Sequence, residues 1–494
     1  MDTGQPMLAK QRGTSVPKNI VIYSDGTGQD GGVRPEQRMS NIYKMFRATR
    51  PGPDNSINPR EQVAFYDPGL GTDTSEVGLT SIRRNLTKLL SSVTGRGITT
   101  NITDCYEFII NHYRPGDRIW LFGFSRGAYT ARCIANVLML CGVPTKVPEG
   151  ELPKFRLRVR EIAEQAVIRV YEHGAGHDRG KFEAERDELA RRFREEFGSD
   201  AAGEANAAPY FVGVFDTVAS LGAKGPLRLA LGAFVLLLIV TAGLATAGVV
   251  HWISGWRWGA SALVATGVIC AWALWGYLRT ALKVMWPPLP GKRLPSLHIA
   301  QWSGRNFDRL LSKSVIYARH AIAIDENRAD FPRLPWGWGK DVARPAEVEG
   351  EVKPFVQMWF AGNHSDIGGS YPESESRLSD IALAWMLDEA RSVPHPIKVD
   401  DGRLKLFPSP AGLQHDEIAG MSDTIRSRTP PFLRWLTRKW TWKTALRAPI
   451  ESATLHPSVE QRFFLDSVPR QGGEGPYRPE ALRIHELFRD EYRP

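Results

Sequence analysis

Residues 119–128, Ile-Trp-Leu-Phe-Gly-Phe-Ser-Arg-Gly-Ala, carry an apolar run into Gly-x-Ser-x-Gly. That pattern commits the chain to a strand, a sharp turn and a helix at one point of a packed core. Gly123 and Gly127 lack the β-carbons that would block so tight a turn. The flanks agree: Asp117 to Gly123 has strand character, and Ala128 to Leu140 reads as a helix buried on most sides. Ser125 is therefore the candidate nucleophile. The competing reading of the same five residues is a tight strand-to-helix turn with an idle serine.

Two further stretches constrain the chain almost as strongly. Leu229 to Val250 and Trp258 to Leu278 contain no charged residue, and each is long enough to cross ~30 Å of hydrocarbon at ~1.5 Å per residue. They are expected to be two transmembrane helices; the alternative is a helical hairpin buried in a water-soluble core. Lys224 and Arg228 precede the pair, Arg279, Lys283, Lys292 and Arg293 follow it, and only His251 to Arg257 connects the spans. The basic flanks put both outer ends in the cytoplasm, with Arg257 in the connection opposing this weakly. Trp252, Trp256, Trp258, Trp272, Trp275, Tyr277 and Trp286 suit the headgroup zones.

Composition adds exclusions. The net charge of +9 invites a nucleic-acid partner, but the chain has no recognised nucleic-acid motif, and the spans account better for the basic flanks and the 15 tryptophans. Cys105, Cys133, Cys141 and Cys270 lie in apolar or helical stretches without Cys-x-x-Cys or His/Cys ligand spacing. They read as reduced thiols in a cytosolic environment, with no metal and no cofactor implied. Residues 1–19 lack the apolar centre of a secretory signal and read as a disordered tail.

The remaining segments alternate strand and helix. Lys18 to Ser24 and Gln62 to Tyr66 are strands ending in glycine-containing loops; Gly97 to Tyr113 is helical; Pro209 to Phe215, Val315 to Ile324 and Phe355 to Ala361 return to strand. This order predicts a mostly parallel sheet with helices on both faces and functional loops at the strand carboxyl ends. The expected organisation is a tail (1–19), a first core part (20–225) with a charged helical insertion (151–200), a membrane hairpin (226–286), a second core part (287–392) and a basic, Pro-rich extension (393–494). The insertion is expected as surface helices forming an insertion or cap over the core, or a solvated helical pair without a function of its own. Within the extension, Pro431 to Arg447 interleaves aromatic and basic residues, suiting either an anionic membrane surface or a packed helix with snorkelling side chains.

A serine hydroxyl needs a base, best a histidine held in one tautomer by a carboxylate. Ser125, Asp216 and His364 follow the nucleophile–acid–histidine order of α/β-hydrolases, each just after an apolar strand. Asp216 is the preferred acid and Asp325, after the penultimate strand, the alternative. The Arg126 N–H is one expected oxyanion donor. The loop Asp25-Gly-Thr-Gly is the best source of a second, with Gly26 and Thr27 beside the substrate carbonyl and Asp25 holding the loop. Asp366 is expected to fix its own loop through Asx-type hydrogen bonds. A phosphatase reading of Asp25-Gly-Thr requires an aspartate nucleophile where this chain has Tyr23, and fails there.

Six ordered motifs carry a resemblance: Ser24-Asp-Gly-Thr, Tyr66-Asp-Pro-Gly-Leu-Gly-Thr, Gly123-Phe-Ser-Arg-Gly-Ala, Val214-Phe-Asp-Thr-Val, His320-Ala-Ile-Ala-Ile-Asp-Glu and Gly362-Asn-His-Ser-Asp-Ile-Gly-Gly. With them the chain resembles the DUF2235 family of α/β-hydrolase domains, which includes phospholipase effectors of the bacterial type VI secretion system, over roughly residues 18–392. The resemblance implies a Ser/Asp/His ester hydrolase carried by Ser125, Asp216 and His364. The hairpin departs from the simplest family pattern. The expectation is a multi-pass protein of the inner membrane, catalytic domain facing the cytoplasm, cleaving a lipid or other carboxylic ester. The alternatives are a non-catalytic interaction platform on the same fold, and a secreted toxin with an immunity or secretion partner.

Overall fold

The computed structural model describes residues 16–26, 38–69, 96–218, 225–300, 302, 311–329, 331–334, 336, 351–420, 443–447 and 451–492. Six strands, β1 (Asn19–Ser24), β2 (Gln62–Asp67), β3 (Arg118–Phe124), β4 (Pro209–Phe215), β5 (Tyr317–Ala323) and β6 (Phe355–Phe360), form one sheet in the order β2-β1-β3-β4-β5-β6. Every pairing is parallel. All six residues of β1 and all seven of β4 are buried, as strands must be when helices cover both faces. The order reverses between β1 and β3, so their carboxyl ends diverge into a crevice. Asp25 and Ser125 sit there.

Alternate strand residues feed two cores. On one face Ile20, Ile22, Leu121, Val212 and Val214 meet α2 (Arg96–His112) and α3 (Arg126–Cys141). On the other, Tyr23, Phe122, Phe211 and Ala321 meet α1 (Asn41–Thr49) and α9 (Arg377–Ser392). The period of two in the strands and 3.6 in the helices is what lets one sheet carry both layers.

The charged insertion contributes α4 (Leu157–Glu164), continued by π and 3-10 turns to Gly174, and α5 (Glu183–Phe197). Its few apolar residues fall on one side: Val159, Ile162, Val167, Phe193 and Phe197 are buried in the first core. The insertion flanks the sheet rather than capping its carboxyl ends. The two uncharged stretches lie within α6 (Gly225–Ser254) and α7 (Trp258–Ala281), each long and apolar enough to cross a membrane. They touch closely where Gly243 faces Thr266. Phe234, Leu237, Val249, Leu263, Val268 and Leu274 are exposed. An antiparallel ribbon, Leu282–Met285 with Ser296–Ile299, follows α7 directly.

Two expectations need correction. Of the tail expected over 1–19, Lys18 and Asn19 belong to the fold: Asn19 opens β1, and Lys18 pairs with Asp117 at 2.5 Å, while 1–15 lie outside the described residues. The C-terminal segment is not a mere extension. Val459, Phe463, Tyr477, Leu482 and Phe488 build a third core with Ile322, Ile324 and Trp359. Among the described residues the segment is made of short elements, the helix Pro457–Phe463, the antiparallel pair Val468–Arg470 with Gly473–Gly475 and single turns, which leave no sustained period in the sequence. Most of the aromatic and basic stretch 431–447 lies outside the described residues.

Candidate active site

Ser125 stands between β3 and α3 at φ 57°, ψ −119°, a backbone state that costs a non-glycine residue of order 1–3 kcal/mol and needs support from its surroundings. The support is close packing. A β-carbon on Gly123 would lie 2.4 Å from the Gly127 carbonyl oxygen, and one on Gly127 would lie 2.0 Å from the Ser24 carbonyl oxygen. The two glycines thus let the elbow press against the end of β1. Gly127→Ala is expected to destabilise the protein by at least ~1–3 kcal/mol, because backbone rather than a mobile side chain must give way. A melting temperature equal to wild type would contradict this packing.

Asp216 follows β4 at φ 37°, and His364 opens α8 (His364–Gly368) just beyond β6. The two meet: His364 Nδ1 and Asp216 Oδ2 are 2.6 Å apart, both side chains buried. With Nδ1–H donating to the carboxylate, the lone pair belongs to Nε2, which is buried without a hydrogen-bond partner among the described residues. The ring packs on Phe124 and Phe331, at centroid distances of 4.7 and 5.3 Å.

The loop bearing His364 is over-determined. Asn363 accepts from the N–H groups of Ser365 and Asp366, while the Asp366 carboxylate accepts from Asn363 N–H, a complete capping box. Glu326 accepts from His364 N–H at 3.2 Å. Asp366 also binds His415 Nδ1 at 2.8 Å, so it ties its own loop to a distant segment. Asp325, the alternative acid, is bound elsewhere. Its Oδ2 accepts from Gly362 N–H at 2.6 Å and from the Tyr477 hydroxyl at 2.8 Å, which anchors the loop rather than the imidazole.

Arg447 was not anticipated. It donates to Asp216 Oδ1 at 2.6 Å and Oδ2 at 2.9 Å, and to the Ala323 carbonyl oxygen at 2.9 Å. Ala323 N–H completes the set on Oδ1 at 3.0 Å. Burial alone would raise the Asp216 pKa; the Arg447 guanidinium and the His364 contact more than offset it and hold the carboxyl well below the usual range. Arg447 stands 231 positions from Asp216, and no spacing rule links them.

Ser125 and His364 line one cavity of about 350 Å³, with Gly26, Arg126, Phe331 and Ser370. No residue of the charged insertion lines it. A β-carbon on Gly26 would fall 3.0 Å from the Phe124 ring and 3.4 Å from Ser125 Cβ, so a side chain here would stand beside the serine. The Gly26 N–H, however, is engaged by Asp25 Oδ1 at 2.7 Å, and Thr27 lies outside the described residues. Asp25 also accepts from Ser40 Oγ at 2.5 Å and the Tyr66 hydroxyl at 2.7 Å. Burial pushes its carboxyl up to about 6 despite these bonds. A larger cavity of about 1130 Å³ adjoins, sharing Arg328 and Phe331 and bordered by Arg333, Lys353, Trp359 and Leu446.

The T6SS phospholipase effector Tle1-like catalytic domain family matches residues 18–239 and 284–389. The break between the two matched parts, 240–283, covers the second half of α6, all of α7 and the first two residues of the ribbon. A 216-residue stretch is 29% identical to an uncharacterised protein of Saccharomyces cerevisiae, covering 42% of this chain and 28% of the yeast protein. Among solved structures, an uncharacterised protein from Pseudomonas aeruginosa aligns at 18% identity and a TM-score of 0.33, over 79% of this chain and 48% of that one. The Tle1 effector bound to the VgrG spike of the type 6 secretion system aligns at 18% identity and a TM-score of 0.25, over 73% and 52%. The chain therefore spans about half the length of the two solved chains and less of the yeast protein.

Proposed function

Because the chain belongs to the family of type VI secretion system phospholipase effectors defined by the Tle1-like catalytic domain, we propose that it is a serine hydrolase of lipid acyl esters held at a membrane by α6 and α7. The observation that carries this reading is the 2.6 Å contact of His364 Nδ1 with Asp216, which leaves Nε2 to act as base in the cavity shared with Ser125.

In this mechanism Ser125 Oγ attacks the ester carbonyl carbon as His364 Nε2 takes the hydroxyl proton. The Arg126 N–H stabilises the oxyanion, a donor of a kind worth ~3–4 kcal/mol in a water-poor site. As the C–O bond breaks, His364 returns the proton to the leaving alcohol oxygen. Water, deprotonated by His364, then attacks the acyl-enzyme and releases the carboxylic acid with Ser125 restored. Asp216 remains ionised throughout, and Arg447 keeps it so.

A phospholipid substrate is supported by the family and by the adjoining cavity, where Phe331, Trp359 and Leu446 offer apolar surface for an acyl chain and Arg333 lies at the wall. Membrane attachment is supported by α6 and α7, whose exposed apolar side chains exceed the isolated patches tolerated on soluble monomers. The basic flanks favour an inner-membrane location with the catalytic part in the cytoplasm. The family favours a second reading, a delivered effector whose hairpin enters the target membrane and which has a secretion or immunity partner.

The test uses full-length protein in detergent. Phospholipid in mixed micelles is expected to be cleaved, and the protein is expected to stay with the membrane fraction under alkaline carbonate. Cleavage of short soluble esters alone would remove the lipid claim and leave the hydrolase; release by carbonate would remove the membrane claim.

A further inference from the structure

Far along the chain from Ser125, three side chains of the insertion and the ribbon converge: His173, Glu185 and His298. One donor atom from each lies within 4.8 Å of the others. His173 and Glu185 are buried, with His173 Nε2 2.8 Å from Glu185 Oε2. His298 is half-buried and stacked on Phe182, with ring centroids 3.7 Å apart and ring planes 9° from parallel.

The hydrogen bonds around His298 set its tautomer. Its Nε2 lies 2.6 Å from the His173 backbone carbonyl oxygen, which can only accept, so Nε2 carries the hydrogen and Nδ1 the lone pair. That Nδ1 is buried and has no hydrogen-bond partner among the described residues. An imidazole with one nitrogen fixed on a backbone carbonyl and the other presenting an unused lone pair is how histidine ligands are oriented in metal sites. The neighbouring Lys283 is directed elsewhere, donating to the Ile168 carbonyl oxygen at 2.6 Å with Glu172 at 3.8 Å.

We propose that His173, Glu185 and His298 bind a divalent transition-metal ion, with zinc the natural choice for two imidazoles, one carboxylate and a water. On binding, the hydrogen shared by His173 Nε2 and Glu185 moves to Nδ1 of His173 or leaves to solvent, and both Nε2 and the carboxylate turn their lone pairs to the metal. The site is structural. It joins the insertion to the ribbon that directly follows α7, where Arg192 already donates to the Pro287 carbonyl oxygen at 2.8 Å and His177 Nε2 lies 2.8 Å from the Ile299 carbonyl oxygen. The metal thereby fixes the exit of the hairpin to the hydrolase core. Ligand spacing cannot disclose such a site, since His298 stands 125 positions after His173.

The test is zinc binding by full-length protein in detergent, stripped with a chelator and then equilibrated with zinc chloride. One zinc per chain and a melting temperature raised by a few degrees are expected, with magnesium chloride giving neither. His298→Ala and Glu185→Gln should each weaken binding at least about tenfold. Glu185→Gln retains volume and the hydrogen bond to His173, so it serves if His298→Ala misfolds, with circular dichroism monitoring the fold. No stoichiometric zinc in wild type, or the same zinc content in wild type and Glu185→Gln, overturns the assignment.

Discussion

Ser125→Ala is expected to lower kcat for ester hydrolysis by about 10⁴–10⁶-fold while leaving the protein folded. Removing the nucleophile of a serine hydrolase costs about as much as removing its whole triad, because the three groups act as a unit. The residual rate reflects oxyanion stabilisation and binding alone. The fold is expected to survive because the strain at φ 57° is a property of any β-carbon, shared by Ser and Ala, and because the Ser125 backbone keeps its bonds to Phe215 and Tyr129. The check pairs a chromogenic-ester assay with thermal melting. An activity within tenfold of wild type in a normally folded variant would move the chemistry away from the elbow and revive the reading of the fold as an interaction platform.

Asp216→Asn should reduce kcat by about 10⁴-fold, for a different reason. The neutral amide no longer holds the Nδ1–H tautomer of His364, so Nε2 loses its standing as base. It also strands Arg447, whose two donated hydrogen bonds to Asp216 then have no anion, and breaking a buried pair this way costs ~3–5 kcal/mol. Arg447→Met should leave Asp216 buried without its counter-cation and lower both stability and kcat. The pH dependence has a fixed sign. Since the folded carboxyl of Asp216 is held below its unfolded value, its stabilisation is present above ~4 and lost as pH falls through the folded value. Wild type should therefore lose more stability on acidification below pH ~4 than Asp216→Asn does. Equal acid profiles for the two proteins would contradict the buried ion pair.

The parts of the site legible in the sequence are those fixed by local chain geometry. The Gly123–Gly127 frame announces a turn because glycine is demanded on both sides within five residues, and the close approaches at both glycines are what the pattern encodes. Asp216 and His364 are legible as residues just beyond apolar strands, and parallel strands bring their carboxyl ends to one edge; the contact between them follows from that order. The family resemblance rested on the same loops, and the family match spans them. Asp366 was legible as a loop-fixing residue from its place two residues beyond His364, but its capping box with Asn363 and its bond to His415 were not.

What stayed hidden is what depends on long-range packing without a period. Arg447, Tyr477 and the third core come from a segment whose turns are too short to leave a helical or strand pattern. Asp325 follows a strand just as Asp216 does; only the fold decides that it faces Gly362 and Tyr477 while Asp216 faces His364. The Gly26 amide is another such case, since its engagement by Asp25 depends on how the loop closes and not on which residues it contains.

The measurement that bears most directly on the central claim is labelling of the detergent-solubilised full-length protein with a fluorophosphonate probe, which reacts only with an activated serine. Wild type should be labelled, and Ser125→Ala and His364→Ala should both lose the label while melting as folded proteins. Absence of labelling in folded wild type, or labelling that persists in either variant, would contradict the assignment of Ser125 as a nucleophile activated by His364.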